Sequence, residues 1–452
     1  MKLLKFKASN VHGYLNYKIE FHERLTFLIG INGTGKTSVL KLILGLISPS
    51  FNYINSIDFD EVELVCNEPS KGQVIITATK NNENNEVKLS LKINDDDPLE
   101  GVFNRISQLQ LNELDNEDSS EKMRFIIEAF DREEVVQAIK SLTTPLFLGL
   151  DRRVYEGQQI DKMRQSFLFR RRYRHYPQND PLNISLMEIQ EVIFDYVRII
   201  ASEQPKINQD FKNKILLQSF QFLESQELNI VKDFRELKGK RKEAIDAFEN
   251  LRITGFTEHI NNFFDQLETT LRTLNEIQGK KKSDEIDFDN IHVFQKWFNN
   301  QPQLKRINEL ITYNLAYQKE LDKLYEPIEK TKNIINSFFS ESKKELLIEP
   351  QGELKVKFKN DKIADIYELS SGEKQIVTML GHLIYFEEKY KNESGIFIID
   401  EPEVSLHLAW QEIFVNSILT ASPRTQFILA THSPAIISDN SESLFQDLAD
   451  LN

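Results

Sequence analysis

The stretch LIGINGTGKTSVLKLIL, residues 28–44, holds the strongest structural signal in the chain. The apolar run 25–29 reads as a buried strand, Gly30-x-x-x-x-Gly35-Lys36-Thr37 as a tight loop, and Val39, Leu40, Leu42 and Ile43 as the apolar face of a helix. Strand, loop and helix in this order predict the phosphate-binding element of an α/β domain. Glycines let successive backbone N–H groups wrap a polyphosphate, and the helix N-terminus adds the positive end of its dipole. Lys36 brings a charge to the β- and γ-phosphates, and Thr37 offers a hydroxyl to Mg²⁺. Gly30, Asn32, Gly33, Thr34, Gly35, Lys36, Thr37 and Ser38 are therefore the expected nucleotide-binding residues.

Composition sets the outer limits. A chain of 452 residues can bury at least one large core and hold two or three structural units. With 56 Lys+Arg against 70 Asp+Glu, the net charge of -14 argues against coating nucleic acid through overall charge. The single cysteine, Cys66, excludes an internal disulfide and a cysteine-based zinc cluster and fits a reducing cytosol. The alternation of EVELVC (61–66) marks it as a packed strand residue rather than a reactive thiol. No 18-residue apolar run occurs, and MKLLKFKASNVHGY lacks the core of a signal peptide, so a soluble, cytoplasmic protein without a membrane segment is expected.

Residues 1–90 read as short strands (KLLKFKAS, YKIEFH, RLTFLIG, DEVELVC, QVIITAT, VKLSLKI) parted by polar turns, with one helix after the phosphate loop. Residues 105–140 turn helical and acidic, and PLFLGL (145–150) is a short strand that stops at Asp151-Arg152-Arg153. From 180 to 342 prolines and glycines are sparse, and apolar residues recur at helical spacing, as in HINNFFDQLETTLRTLNEI (259–277). This predicts a block of helices without the sustained heptads of a long coiled coil. Strand character returns at 344–358, followed by alternating helices and strands.

That return carries further chemistry. GIFIIDEPE (395–403) is an apolar strand tipped by Asp400 and Glu401, placed so that the first carboxylate can reach Mg²⁺ and the second can orient an attacking water. TQFILATHS (425–433) repeats the form and ends in Thr431, His432 and Ser433, which puts a histidine where it can sense a γ-phosphate. ELSSGEKQ (368–375) sets Ser370, Ser371 and Gly372 before a helix starting near Glu373; it reads equally as an anion cradle or as an ordinary N-cap.

Together these motifs resemble the ABC-type ATPases, in the branch that holds the SMC, RecF and OLD-type proteins. GINGTGKT is similar to Walker A, LSSGE to the ABC signature, IFIIDEPE to Walker B with its catalytic glutamate, and ATHSP to the His switch, all in family order. DEPEVSLH (400–407) is similar to this branch rather than to transporter ATPases. The resemblance covers residues 1–60 and 344–438. It implies an α/β ABC ATPase head assembled from both chain ends, 1–155 and 344–452, with a mainly helical insertion, 156–343, between Walker A and the signature. It implies ATP and Mg²⁺ as cofactors, Thr37 and Asp400 on the metal, and Glu401 and His432 as catalytic residues. Ser370 and Gly372, with Ser371 and Glu373 beside them, would cap the γ-phosphate held by a second head, across an ATP-sandwiched homo-oligomer. Glu403, Ser405 and His407 would lie in the loop crossing that interface. Neither Gln108 nor Gln110 is assigned as the family's Q-loop glutamine.

OLD-type nucleases continue from such a head into an acidic nuclease domain. This chain stops at Asn452, and its eight histidines are dispersed with no H-x-x-x-H pair, so cutting activity is expected from a partner. Within the branch the chain resembles the PtuA family, ATPase subunits of Septu anti-phage systems and of some retron systems. That resemblance implies an HNH nuclease partner, PtuB, and a role in antiviral defence. A RecF- or SMC-like ATPase of DNA repair or chromosome maintenance is the alternative. The stretch KMRQSFLFRRRYRHYP (162–177) bears Arg170, Arg171, Arg172 and Arg174 with interleaved aromatics; it reads as a nucleic-acid or partner contact, or as a basic face bridging to acidic helices.

Overall fold

Two kinds of strand pattern build the domain that carries the motifs. Alternating strands make an antiparallel sheet: β1 (Lys2–Val11), β2 (Leu15–Glu20), then, after β3 (Leu25–Ile29), β4 (Glu61–Glu68), β5 (Gly72–Asn81), β6 (Glu86–Ile93) and β7 (Leu99–Asn104), in the order β2-β1-β4-β5-β6-β7. Its buried positions recur every second residue, as in β2, where Leu15, Tyr17 and Ile19 point inward. The second sheet holds β3, β8 (Leu146–Leu148), β9 (Val154–Glu156), β13 (Ile396–Asp400), β14 (Gln426–Ala430) and β15 (Leu444–Asp447), in the order β15-β3-β14-β13-β8-β9, with apolar runs in its central strands β3, β14, β13 and β8. All its pairs are parallel except β8 with β9. Every residue of β13 and β14 is buried, as expected for strands covered on both faces. A small sheet of β10 (Glu345–Ile348), β11 (Leu354–Lys357) and β12 (Ile363–Asp365) precedes the signature.

The computed structural model describes residues 1–31, 33–81, 86–104, 127–142, 145–149, 154–156, 180–220, 234–251, 255–280, 291–389, 395–437 and 444–449. Asn32, Gln108, Gln110 and the arginines at 170–174 lie outside them. The described helices are α1 (Lys36–Ile47), α2 (Phe51–Ser56), α3 (Glu134–Lys140), α4 (Pro181–Ser219), α5 (Phe234–Asn250), α6 (Thr257–Lys280), α7 (Ile291–Phe339), α8 (Ser371–Lys389), α9 (Leu408–Ala421) and α10 (Pro434–Ile437). Among described residues no helix is long and apolar enough to cross a membrane.

Contacts divide the chain into two units, residues 1–195 with 327–452, and residues 196–326. The first holds the sheets, with a core running from Phe6 and Val39 through Leu64 to Ile398 and Ile428. Gln426, fully buried, accepts from Leu3 N at 2.7 Å and donates to Leu3 O at 2.9 Å, tying β14 to β1 with its polar groups satisfied. The second unit is helical. Its core pairs Phe264, Leu267, Leu271 and Leu274 of α6 with Leu237, Ala244 and Ala247 of α5 and Trp297, Leu304 and Ile311 of α7, the three- and seven-residue spacings of an apolar helix stripe.

Candidate nucleotide site

Sheet register assembles the site. Leu28 of β3 pairs with Ala430 of β14, and Ala430 with Asp400 of β13. The segments leaving these three parallel strands are the phosphate loop, Thr431-His432-Ser433 and Glu401-Pro402-Glu403, so one sheet edge carries them side by side. This is the carboxyl edge, where α/β sheets bind ligands.

The phosphate loop is braced from β2. Inward-facing Tyr17 donates its hydroxyl to Thr34 O at 2.8 Å; burial, with Tyr14 nearby, pushes its pKa up to about 12, which keeps it a donor. Gly35, the cap of α1, has φ +82°, and a Cβ there would overlap the Tyr17 hydroxyl, so both conformation and space require glycine. Lys36 is only 6% exposed, and its Nζ donates to Gly30 O at 2.8 Å, with Ile31 O at 3.5 Å. The loop's own carbonyls thus hold the ammonium. Thr34 Oγ1 donates to Ile31 O at 2.9 Å, and Ser38 Oγ stands 2.9 Å from His12 Nε2.

The chain's two ends meet where Thr37 Oγ1 donates to Asp400 Oδ2 at 2.9 Å. Asp400 is 3% exposed; burial raises its carboxyl above the ordinary range, against the Thr37 bond. Its Oδ1 is buried without a hydrogen-bond partner. Such an atom costs about 1–3 kcal/mol when left unsatisfied. A hydroxyl oxygen and a buried carboxylate with a spare oxygen suit Mg²⁺, which takes one or two protein oxygens and completes its shell with water and phosphate.

Glu401 sits at φ +49°, a conformation L side chains rarely adopt, and is held there by its N–H donating to Ala430 O at 2.8 Å. Glu403 turns its carboxylate inward. Its Oε1 accepts from Thr431 Oγ1 at 2.8 Å and His432 N at 2.9 Å, and lies 3.0 Å from His432 Nδ1. His432 Nδ1 is 3.6 Å from Glu401 Oε1. Farther along, Ser433 Oγ donates to Gln411 Oε1 at 2.6 Å, and His407 caps α9.

The signature starts as a capping box. Ser370 N and Oγ both donate to Glu373 Oε2 at 2.8 Å, so α8 begins at Ser371, two residues before the expected start. Ser370 and Ser371 are exposed, and Gly372 is buried against the loop after β13: a Cβ there would lie 2.5 Å from Ser405 O. The hydrogen bonds of the described residues join Ser370 to Glu373 and not to the phosphate loop. Lys344 donates to Glu373 Oε1 at 2.9 Å and Oε2 at 2.8 Å. Burial works to raise the Glu373 carboxyl, but Lys344 and Ser370 outweigh it and hold the group below its ordinary range. Its stabilisation is full above the usual carboxyl range and is lost as pH falls through the depressed folded value. Lys344→Met is expected to cost about 3–5 kcal/mol near neutral pH, the penalty of a buried charge left unpaired, with the deficit shrinking as Glu373 protonates. Urea unfolding at neutral and acid pH measures it; an equal deficit at both would reject the assignment.

Tyr17, His12 and Lys344 do not emerge from motif reading. The inward parity of Leu15, Tyr17 and Ile19 is a usable signal for the first, whereas the other two depend on contacts between distant segments.

A parallel sheet with a phosphate loop, a Thr–Asp pair and a glutamate at its carboxyl edge defines a P-loop ATPase site, and the chain belongs to the AAA_15 family, an AAA ATPase domain, whose profile matches residues 1–437. ATP binding follows from that membership. The chain is similar to the retron Vc95 probable ATPase of Vibrio cholerae serotype O1 biovar El Tor, 26% identical over 219 residues, 46% of this chain and 41% of that protein. It is also similar to the endonuclease GajA of Bacillus cereus (strain VD045), 29% identical over 116 residues, 23% of this chain and 20% of that protein. In both cases the match spans less than half of the relative's length. Among solved structures, the Smc head domain of Pyrococcus furiosus, with an extended coiled coil and bound to the C-terminal domain of ScpA, aligns over 97% of this chain and 91% of its own at 14% identity and a TM-score of 0.37. The Smc head of Pyrococcus yayanosii, with a coiled coil and joint, aligns over 97% and 93% at 15% identity and a TM-score of 0.39.

Proposed function

We propose that the protein hydrolyses ATP with Mg²⁺ at this edge, pairs its heads around the nucleotide, and uses the ATP state to regulate a partner HNH nuclease in anti-phage defence. The observation that carries the reading is the Thr37–Asp400 hydrogen bond of 2.9 Å, which joins residues 363 positions apart at the mouth of the phosphate loop. Lys36 and the N–H groups of the loop and of α1 bind the β- and γ-phosphates. Thr37 and Asp400 would hold Mg²⁺, which would supply charge neutralisation at the phosphates. Glu401 orients the attacking water and accepts its proton, and His432 faces the γ-phosphate.

Exposed Ser370 and Ser371 support a signature that acts on a second head's nucleotide. The resemblance to the PtuA family and the similarity to a retron ATPase support the nuclease partner. An affinity pull-down of tagged protein expressed with its native flanking DNA, with and without ATP, tests this reading. Stoichiometric recovery of a small HNH protein is the expected result; recovery of the ATPase alone, or with recombination proteins, moves the assignment to DNA maintenance.

A further inference from the structure

We propose that Glu403 is a positioning residue for His432: one carboxylate oxygen ties down the tip of β14 and lies against the Nδ1 side of the imidazole, so that Nε2 is turned to the nucleotide side as an acceptor for the water that attacks there. The inference rests on the ATPase reading of the site and names a residue which that reading leaves unused. Two tight turns aim the side chain. Val404 N donates to Glu401 O at 3.1 Å and Leu406 N to Glu403 O at 3.0 Å, with Ser405 at φ +72°, and together they fold the loop back beneath Thr431.

The carboxylate is deeply buried, 8% exposed, yet its two oxygens are used unequally. Oε1 faces Thr431 Oγ1, His432 N and His432 Nδ1 within 3.0 Å, whereas Oε2 is buried with no hydrogen-bond partner. All the polar contacts of this side chain thus converge on one oxygen, and they go to the ring, its backbone N–H and the neighbouring hydroxyl. His432 is itself half exposed, so its position relies on this anchor. Glu403 Oε1 is nearer to Nδ1, at 3.0 Å, than Glu401 Oε1 is, at 3.6 Å. With its oxygen the nearer of the two to Nδ1, Glu403 draws the imidazole away from Glu401, whose carboxylate is then free to orient a water. Which ring nitrogen carries the proton is set by the bond the other makes, the same logic that orients metal-bound histidines.

The test uses the full chain with ¹⁵N-labelled histidine, without nucleotide, with the His432 signals assigned by a His432→Gln variant. Neutral His432 is expected as the Nδ1–H tautomer in the wild type, shifting to Nε2–H in Glu403→Gln. In ATP turnover, Glu403→Gln is expected to lower kcat about tenfold or more while KM changes less than about threefold. Glu403→Asp should recover part of the rate, and Glu403→Gln in the His432→Gln background should add no further loss. Equal thermal unfolding of the variants shows that they fold. An Nε2–H tautomer in the wild type, an unchanged tautomer and kcat in Glu403→Gln, or a fully additive loss in the double variant would each overturn the proposal. A wild type that shows the Nδ1–H tautomer but never turns over ATP would overturn the hydrolysis reading and leave the positioning role standing.

Discussion

Glu401→Gln should bind ATP as tightly as the wild type and hydrolyse it about 10²–10⁴-fold more slowly, the range expected when a general base loses its ability to accept a proton. The amide preserves side-chain shape and the backbone bond from Glu401 N to Ala430 O, so the strained turn at φ +49° is kept. What is lost is the carboxylate charge at the end of β13. Because binding contacts from Lys36 and the loop are untouched, nucleotide should stay trapped, and paired heads should accumulate with ATP. Single-turnover hydrolysis and light scattering on the ATP-bound protein measure both effects. A wild-type rate would exclude Glu401 as the water-positioning residue. Glu403, the other carboxylate on the turn after Asp400, cannot stand in for it, because it is committed to Thr431 and His432.

Lys36→Met removes affinity rather than chemistry. A hydrogen bond to a charged group contributes about 1.5–3 kcal/mol, and Lys36 serves two phosphates, so ATP affinity should fall at least about 100-fold. The ammonium is already buried and docked on Gly30 O and Ile31 O, which means that its desolvation precedes nucleotide binding. It therefore presents a preorganised charge. Methionine matches its length and burial, so the fold should persist, and ATP should raise the melting temperature of the wild type by mass action but leave the variant unmoved. Undiminished affinity in calorimetry would mean that the loop is not the phosphate site.

The start of α8 and the end of β14 are closer partners than their separation along the chain suggests. The turn after β13 reaches both: Glu403 holds His432, and two residues on, Ser405 O packs against Gly372. Space at Gly372 is limited by backbone, not by a side chain that could swing aside, so any larger residue must displace that turn.

Much of the site was legible because its determinants lie within a few residues of one another. The glycine, lysine and threonine of the phosphate loop, the apolar runs of β3, β13 and β14, and the Ser370-x-x-Glu373 cap each follow from local sterics, periodicity and hydrogen bonding. Other strands escaped that reading: β7 (LEGVFN), β12 (IAD) and β15 (LFQD) carry neither an apolar run nor sustained alternation and form where a neighbour supplies their hydrogen bonds. Tertiary structure alone decided the strand order β15-β3-β14-β13-β8-β9, and with it the register that sets Leu28, Ala430 and Asp400 abreast. It also turned Glu403 inward and closed Lys344 on Glu373 across 29 positions. Backbone conformation is chosen by neighbours along the chain. Buried charges choose partners by what else is buried beside them, and that depends on the whole sheet.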